Sequence, residues 1–143
     1  MAQRVLLYVE DDDAAFFVIQ LTLQEVKADI ALYRATDGEE ALAFVHKTKP
    51  HEDAPRPDLI LLDLNLPKRS GMEVLTELKR DESLRSIPVI MFSSSPLRVD
   101  ERKSLELGAQ EYMTKPSSLE GFVETLKRAL TVPERSSGSN GIL

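Results

Sequence analysis

The stretch PDLILLDLNLPKRSG, residues 57–71, places four consecutive apolar residues directly before a carboxylate. The run Leu59–Leu62 is short and apolar throughout, which is typical of a strand buried on both faces of a parallel sheet. Asp63 ends this run, shortly before a Pro-Lys turn. Burying an isolated charge is costly, so such a group usually pairs, shifts its pKa or binds a metal. We therefore expect Asp63 to have a specific partner.

Similar apolar runs occur along the rest of the chain, and each is followed by a helical pattern. The predicted strands are Val5–Val9, Ile30–Arg34, Leu59–Leu62, Pro88–Phe92 and Glu111–Thr114. The first helix carries apolar residues at helical spacing: Phe16, Ile19, Leu23 and Val26. Alternation of strands and helices is typical of an α/β domain, in which helices cover both faces of a parallel sheet.

Capping signals mark where the predicted helices begin and end. Asp12 or Asp13 is available as the N-cap of the first helix. A capping-box pattern, Ser or Thr followed three residues later by Glu, opens three others: Thr36 with Glu39, Ser70 with Glu73 and Ser117 with Glu120. The fourth helix is expected at about 99–107, and Gly108 is placed to end it.

Composition limits the class of protein. The 143 residues fit one domain, residues 1–131, followed by a polar tail at 132–143 that we expect to be frayed. No apolar stretch is long enough to span a bilayer, and no signal-peptide cleavage site is visible, so a cytoplasmic location is expected. The chain has no cysteine, which excludes disulfides and thiolate metal sites. Its net charge of −6 argues against nucleic acid as the main partner.

Polar residues collect just after the predicted strands. They are Glu10 to Asp13 after the first strand, Asp63 and Asn65 after the third, Ser93 to Ser95 after the fourth, and Lys115 and Pro116 after the fifth. Open α/β sheets bind ligands outside the carboxyl ends of their strands. If the first and third strands are neighbours, their acidic residues converge at such a site.

Converging carboxylates need a counter-charge, because two of them at about 4 Å repel by roughly 4 kcal/mol at an effective dielectric of about 20. All-oxygen ligands favour Mg²⁺, or Mn²⁺ and Ca²⁺, over zinc. A carboxylate beside Mg²⁺ is also a candidate nucleophile for phosphoryl transfer. Lys115 would supply a second positive charge and Ser93 a hydroxyl donor. We therefore predict that Asp63 accepts a phosphoryl group and holds it.

The same residues resemble the receiver domain of the response regulators of two-component signalling. Four segments carry the resemblance, in this order: YVEDD, LILLDLNLPKRSG, PVIMFSSS and GAQEYMTKP. It covers about residues 4–131. The resemblance implies a doubly wound, flavodoxin-like sheet of five parallel strands in the order 2-1-3-4-5, with five helices.

The resemblance also implies a role for each residue of the acidic site. Asp63 corresponds to the phosphoacceptor. Asp11 would bind Mg²⁺ directly, and Glu10 would act largely through water. The backbone carbonyl of Asn65 would be a further metal ligand.

Other positions would couple the site to a conformational switch. Ser93 occupies the switch hydroxyl position, and Tyr112 matches the aromatic residue whose ring turns inward on activation. Lys115 corresponds to the family's lysine, with a cis peptide bond to Pro116. Pro96 departs from the family pattern and is expected to reshape the loop after the fourth strand.

Finer features are similar to the small stand-alone regulators that are paired with cyanobacterial and bacterial phytochromes. The segments LDLNLPKRSGMEVL and LKRDESLRSIPVI carry this likeness. It implies a histidine kinase of the phytochrome type as phosphoryl donor, output through protein contacts, and no enzymatic activity beyond self-phosphotransfer and autodephosphorylation. The fourth helix has few apolar anchors, chiefly Val99, Leu105 and Leu107, and weakly anchored elements open easily. Helix four, strand five and helix five are therefore the expected face for a homodimer or partner.

Two other functions remain open. A Mg²⁺-dependent phosphohydrolase of the haloacid-dehalogenase type usually carries a second Asp two residues after the nucleophile, where this chain has Asn65, which cannot transfer a proton. A dimeric adaptor that never uses a phosphoryl group would not need Asp63, Ser93 and Lys115 together. Asp12 or Asp13 is interpreted as a helix cap, outside the site.

Overall fold

The computed structural model describes residues 3–27, 29–94 and 97–131. Strands and helices alternate along the chain as β1 (Arg4–Val9), α1 (Asp13–Val26), β2 (Ile30–Ala35), α2 (Gly38–His46), β3 (Leu59–Leu62), α3 (Gly71–Arg80), β4 (Val89–Ser93), α4 (Arg98–Glu106), β5 (Glu111–Thr114) and α5 (Leu119–Leu130). All strand pairs are parallel, in the order β2-β1-β3-β4-β5. The fold class and strand order are confirmed. The tail at 132–143, Ser95 and Pro96 lie outside the described residues.

The register of the sheet places the strand ends side by side. Val9 of β1 pairs with Leu62 of β3, and Ser93 of β4 pairs with Thr114 of β5. The residues that follow these four strands therefore meet at one edge of the sheet, as the sequence predicts.

Side chains that alternate along the strands pack into two separate cores, one on each face of the sheet. On one face, Leu7 and Val9 of β1 pack in a cluster with buried residues of α2 and α3. On the other face, Leu6 and Tyr8 pack in a cluster with residues of α1 and α5. All four residues of β3 are buried, because this strand is covered on both sides.

None of the helices in the described part of the chain is long and apolar enough to cross a lipid bilayer.

Two capping predictions are right. Asp12 is the N-cap of α1 and accepts a hydrogen bond from the Ala14 N–H at 2.9 Å. Ser70 and Glu73 form a reciprocal capping box at the start of α3, which positions the helix that follows the Asp63 loop.

Two capping predictions are wrong by one residue. Asp37, not Thr36, is the N-cap of α2 and accepts from the Glu40 N–H at 2.7 Å, in keeping with the stronger capping preference of Asp. Ser118, not Ser117, is the N-cap of α5 and accepts from the Gly121 N–H at 3.0 Å. Each helix therefore begins one residue later than its capping-box pattern indicates.

Helix α4 is attached to the domain even more weakly than the sequence predicts. Val99 and Leu105, which were expected to anchor it, are 60% and 44% exposed. Leu107, just after the helix, does pack against the core, and Ser104 is the one buried residue within α4. Gly108 ends the segment with a φ of 113°, a conformation that favours glycine.

Candidate functional site

Asp63 lies at the carboxyl end of β3, in the middle of the sheet. Its backbone N–H donates to the carbonyl of Val9 at 3.1 Å, which continues the ladder between β1 and β3. The residue is only 6% exposed. Its Oδ1 accepts a hydrogen bond from the backbone N–H of Asn65 at 3.1 Å. Asp63 is therefore nearly buried but remains reachable from the edge of the sheet.

The loop after Asp63 folds back closely on it. The Gly71 N–H donates to the Leu64 carbonyl at 2.9 Å. A Cβ built on Gly71 would lie 2.2 Å from the backbone oxygen of Asp63. Glycine is required here because backbone atoms, which cannot rotate away, occupy that space.

We expect Gly71→Ala to displace the Asp63 loop and to destabilise the fold by about 1–3 kcal/mol, the usual cost of overpacking. Urea unfolding checks this prediction. An unchanged unfolding midpoint would contradict this prediction, because it would mean that the Asp63 loop can accommodate a methyl group at position 71.

Glu10 is held at the end of β1 by its backbone. Its N–H donates to the carbonyl of Ala35 at 2.9 Å, and its own carbonyl accepts from Nε of Arg34 at 3.0 Å. Its side chain is 1% exposed and makes hydrogen bonds of its own. Oε1 accepts from the hydroxyl of Tyr8 at 3.0 Å, and Oε2 accepts from the Asp12 N–H at 3.2 Å.

Lys115 connects the two buried acids. Its Nζ donates to Glu10 Oε1 at 2.5 Å and to Asp63 Oδ2 at 3.1 Å. The ammonium also lies 5.7 Å from the centre of the Phe92 ring. Its backbone N–H donates to the carbonyl of Ser93 at 2.7 Å. This hydrogen bond to β4 fixes the position of the Lys115 backbone just after β5.

Burial and charge act in opposite directions on these groups. Burial lowers the pKa of Lys115, but its hydrogen bonds and attraction to Glu10 and Asp63 outweigh this and leave the pKa above its ordinary value. Burial raises the pKa of Glu10, against the opposing effect of the Lys115 ammonium. Burial also raises the pKa of Tyr8, with Glu10 adding to the shift, so its hydroxyl stays protonated as a donor. The lysine is thus a stable cation in the site.

Glu10, Asp11 and Asp63 form an acidic cluster that is suited to a divalent cation. One oxygen from each lies within 4.8 Å of the others. Asp11 is exposed and makes no hydrogen bond within the described part of the chain. Three carboxylates facing one ammonium leave negative charge to be balanced, and an all-oxygen ligand set fits a hard cation such as Mg²⁺ or Mn²⁺.

Ser93 and Tyr112 lie on the two strands next to this cluster. Ser93 is fully buried at the end of β4. Tyr112 of β5 is half-buried and packs against the core on the α2–α3 face. The site roles assigned to these residues, and to the carbonyl of Asn65, remain predictions. The expected cis bond before Pro116 is not present: among the described residues the cis bond is Lys49–Pro50, and Lys115–Pro116 has the trans form that X-Pro bonds generally prefer.

Sequence reasoning missed two side chains that contact Glu10 of the acidic cluster, those of Tyr8 and Arg34. Tyr8 could have been found, because it precedes Glu10 by two positions and so shares its face of the strand. Arg34 could not, because its contact with the Glu10 carbonyl depends on the register between β1 and β2. Arg34 also pairs with Asp13 at 2.8 Å and lies 4.9 Å from the centre of the Phe16 ring.

Comparison with known proteins places this geometry in a family. The family model described as the response regulator receiver domain matches residues 6–127. Response regulator Rcp1 of Synechocystis sp. is 41% identical over 124 residues, 87% of this chain and 84% of that protein. The polar-differentiation response regulator DivK of Brucella anthropi is 45% identical over 97 residues, 68% of this chain and 73% of that protein.

Solved structures agree with the sequence comparison. The Mn²⁺-bound form of Rcp1 superposes with a TM-score of 0.86 at 36% identity, covering 93% of this chain and 99% of that one. The phosphorylated cyanobacterial phytochrome response regulator RcpA gives the same TM-score and identity, covering 91% and 96%. The chain belongs to the response regulator receiver domain family, whose members accept a phosphoryl group from histidine kinases.

Proposed function

We propose that this chain is a phosphorylation-dependent switch in which Asp63 accepts a phosphoryl group from a histidine kinase. The observation that carries the proposal is the position of the Asp63 carboxylate, which lies 3.1 Å from the Lys115 ammonium and within the acidic cluster of Glu10 and Asp11. A nucleophile, a cation site and a fixed positive charge therefore meet at one point. This is the set of groups that transfer to a carboxylate requires.

The proposed reaction exchanges one bond to phosphorus for another. A carboxylate oxygen of Asp63 attacks the phosphorus of the kinase phosphohistidine, the P–N bond breaks, and the histidine leaves with the bonding electron pair and takes up a proton. Glu10, Asp11, Asp63 and the Asn65 carbonyl would hold Mg²⁺, which supplies positive charge to the phosphoryl oxygens. Lys115 would contact another of these oxygens, and the Ser93 hydroxyl would donate to a third.

The signal would then leave the site through β4 and β5. Ser93 moves toward the phosphoryl group and Tyr112 follows, which alters the neighbouring α4. The small buried area of α4 supports this step, because few apolar contacts oppose its displacement. Slow attack of water on the aspartyl phosphate would reset the chain, so its chemistry is limited to self-phosphotransfer and autodephosphorylation.

The proposed donor is a kinase of the phytochrome type. This is supported by the likeness to RcpA, which is described as a phytochrome response regulator, over 91% of this chain. The test is a phosphotransfer profile, in which a phosphorylated phytochrome-type histidine kinase and several unrelated kinases each donate to the chain with Mg²⁺ present. We expect the phytochrome-type kinase to be the fastest donor. Transfer from none of them would contradict the switch, and faster transfer from an unrelated kinase would contradict the pairing.

The proposed output surface is a homodimer face made by α4, β5 and α5. It is supported by the exposed apolar side chains at and beside α4, which include Leu97, Val99 and Leu105. Residues of this kind on a weakly anchored helix suit an interface that forms when the helix moves.

We expect Val99→Asp to prevent dimerisation in the presence of Mg²⁺ and beryllofluoride, because a buried unpaired charge is costly. Sedimentation velocity measures the association. Phe17→Asp on α1 is the matched control, since Phe17 is 58% exposed but lies outside the proposed face. Dimers that survive the change at Val99 but not the change at Phe17 would move the interface to α1.

A further inference from the structure

The backbone of Glu10 is already fixed on both sides by Ala35 and Arg34, as described above. These backbone contacts do not set the orientation of the Glu10 carboxylate, which can still rotate about the side-chain torsions. A carboxylate has about four lone-pair sites, and three of them are occupied by hydrogen-bond donors. These donors come from Tyr8, Asp12 and Lys115.

Of these three donors, Tyr8 is the one whose side chain packs in the apolar core. Tyr8 lies on β1 and precedes Glu10, the residue that directly follows this strand, by two positions, so both side chains point to the same face of the sheet. Its ring is fully buried and packs against Phe16 and Phe92, with centroids 6.3 and 6.4 Å away. The ring is thus confined by its neighbours, and its hydroxyl lies 3.0 Å from Glu10 Oε1.

We propose that Tyr8 is a positioning residue for the cation site, which fixes the orientation of the Glu10 carboxylate through its hydroxyl. This inference rests on the proposed function, in which Glu10 helps to hold the cation. Lys115 cannot fix the orientation alone, because it divides its contacts between Glu10 and Asp63. The Asp12 N–H holds the other oxygen at 3.2 Å. Without the Tyr8 hydroxyl, the donor left to Glu10 Oε1 is the Lys115 ammonium, which is shared with Asp63.

The expected effect is on cation affinity. Loss of an outer hydrogen-bond partner of a metal ligand typically weakens metal binding about 10–100-fold. We expect Tyr8→Phe to weaken Mn²⁺ binding by about 10-fold. The ring and its aromatic contacts stay in place, so the apolar core changes little.

The experiment measures Mn²⁺ dissociation constants from the electron paramagnetic resonance signal of the free ion. Tyr33→Phe is the matched control, because Tyr33 lies on the edge strand β2 and packs against Phe44, away from the acidic cluster. Thermal unfolding of the metal-free proteins is recorded in parallel. A lower unfolding temperature with unchanged Mn²⁺ affinity would mean that the hydroxyl is merely structural, and would overturn the proposal.

A second variant tests whether Tyr8 acts through Glu10. In a Glu10→Gln background, Tyr8→Phe should change Mn²⁺ affinity by less than about 2-fold, because coupled residues are non-additive. A full additional loss in that background would overturn the proposed route.

Phosphoryl uptake by the wild-type chain separates this inference from the proposed function. If the wild type takes up a phosphoryl group and binds Mn²⁺, but Tyr8→Phe binds it equally well, only the role of Tyr8 fails. If Tyr8→Phe weakens Mn²⁺ binding but the wild type takes up no phosphoryl group, the proposed function fails and the role of Tyr8 in cation binding stands.

Discussion

Replacing Lys115 by methionine should lower the free energy of unfolding by about 3–5 kcal/mol in metal-free buffer, as for other broken buried ion pairs. The physical reason is that the ammonium contacts two nearly buried carboxylates, those of Glu10 and Asp63. Methionine preserves the apolar stem but leaves both carboxylates without a counter-charge. Urea unfolding in EDTA measures the loss.

Mg²⁺ should reduce this deficit, because a bound cation would neutralise the carboxylates that the lysine no longer reaches. The control is Lys127→Met, which removes an exposed pair with Glu25 at 3.5 Å. Such surface pairs contribute about 0–1 kcal/mol. Equal unfolding midpoints for the Lys115 variant and the wild type would contradict the view that this lysine balances the acidic cluster.

Replacing Asp63 by asparagine should abolish phosphoryl uptake while the fold is retained. Asparagine has nearly the same shape but is not a nucleophile, and Lys115 keeps its contact with Glu10. Removing one of three clustered carboxylates also relieves their mutual repulsion. Intact-mass measurement after incubation with acetyl phosphate and Mg²⁺ gives the result directly.

Asp53→Asn is the matched control, because Asp53 is exposed and lies in the loop before β3. It should gain mass as the wild type does. Uptake that persists in the Asp63 variant would identify another acceptor. Partner binding and signalling that do not change with Asp63→Asn would instead favour a phosphate-independent adaptor.

The strands and the convergence of the site could be predicted because both follow from strong local signals. A run such as Leu59–Leu62 is typical of a strand in a sheet covered on both faces, and the carboxyl ends of parallel strands share one edge. Asp63 and Lys115 are 52 positions apart, yet each is fixed by its place directly after a strand. Their contact therefore needs no knowledge of the loops between them.

The features that were missed depend on small differences between adjacent residues, or on how elements pack against one another. Thr36 and Asp37 are both good caps, each with a Glu three residues later, and the stronger capping preference of Asp separates them. The exposure of Val99 depends on how α4 rotates against the sheet, and the 9-residue helix has too few apolar positions to define one face. The contact of Arg34 depends on register between strands.

The most direct test of the site is a crystal structure of the chain with Mg²⁺ and beryllofluoride, which forms an analogue of an aspartyl phosphate. We predict beryllium bonded to a carboxylate oxygen of Asp63, with Nζ of Lys115 and the hydroxyl of Ser93 hydrogen-bonded to fluorine atoms. Beryllium bound to any other residue, or an Asp63 that remains unmodified with Mg²⁺ present, would contradict the assignment of Asp63 as the phosphoacceptor.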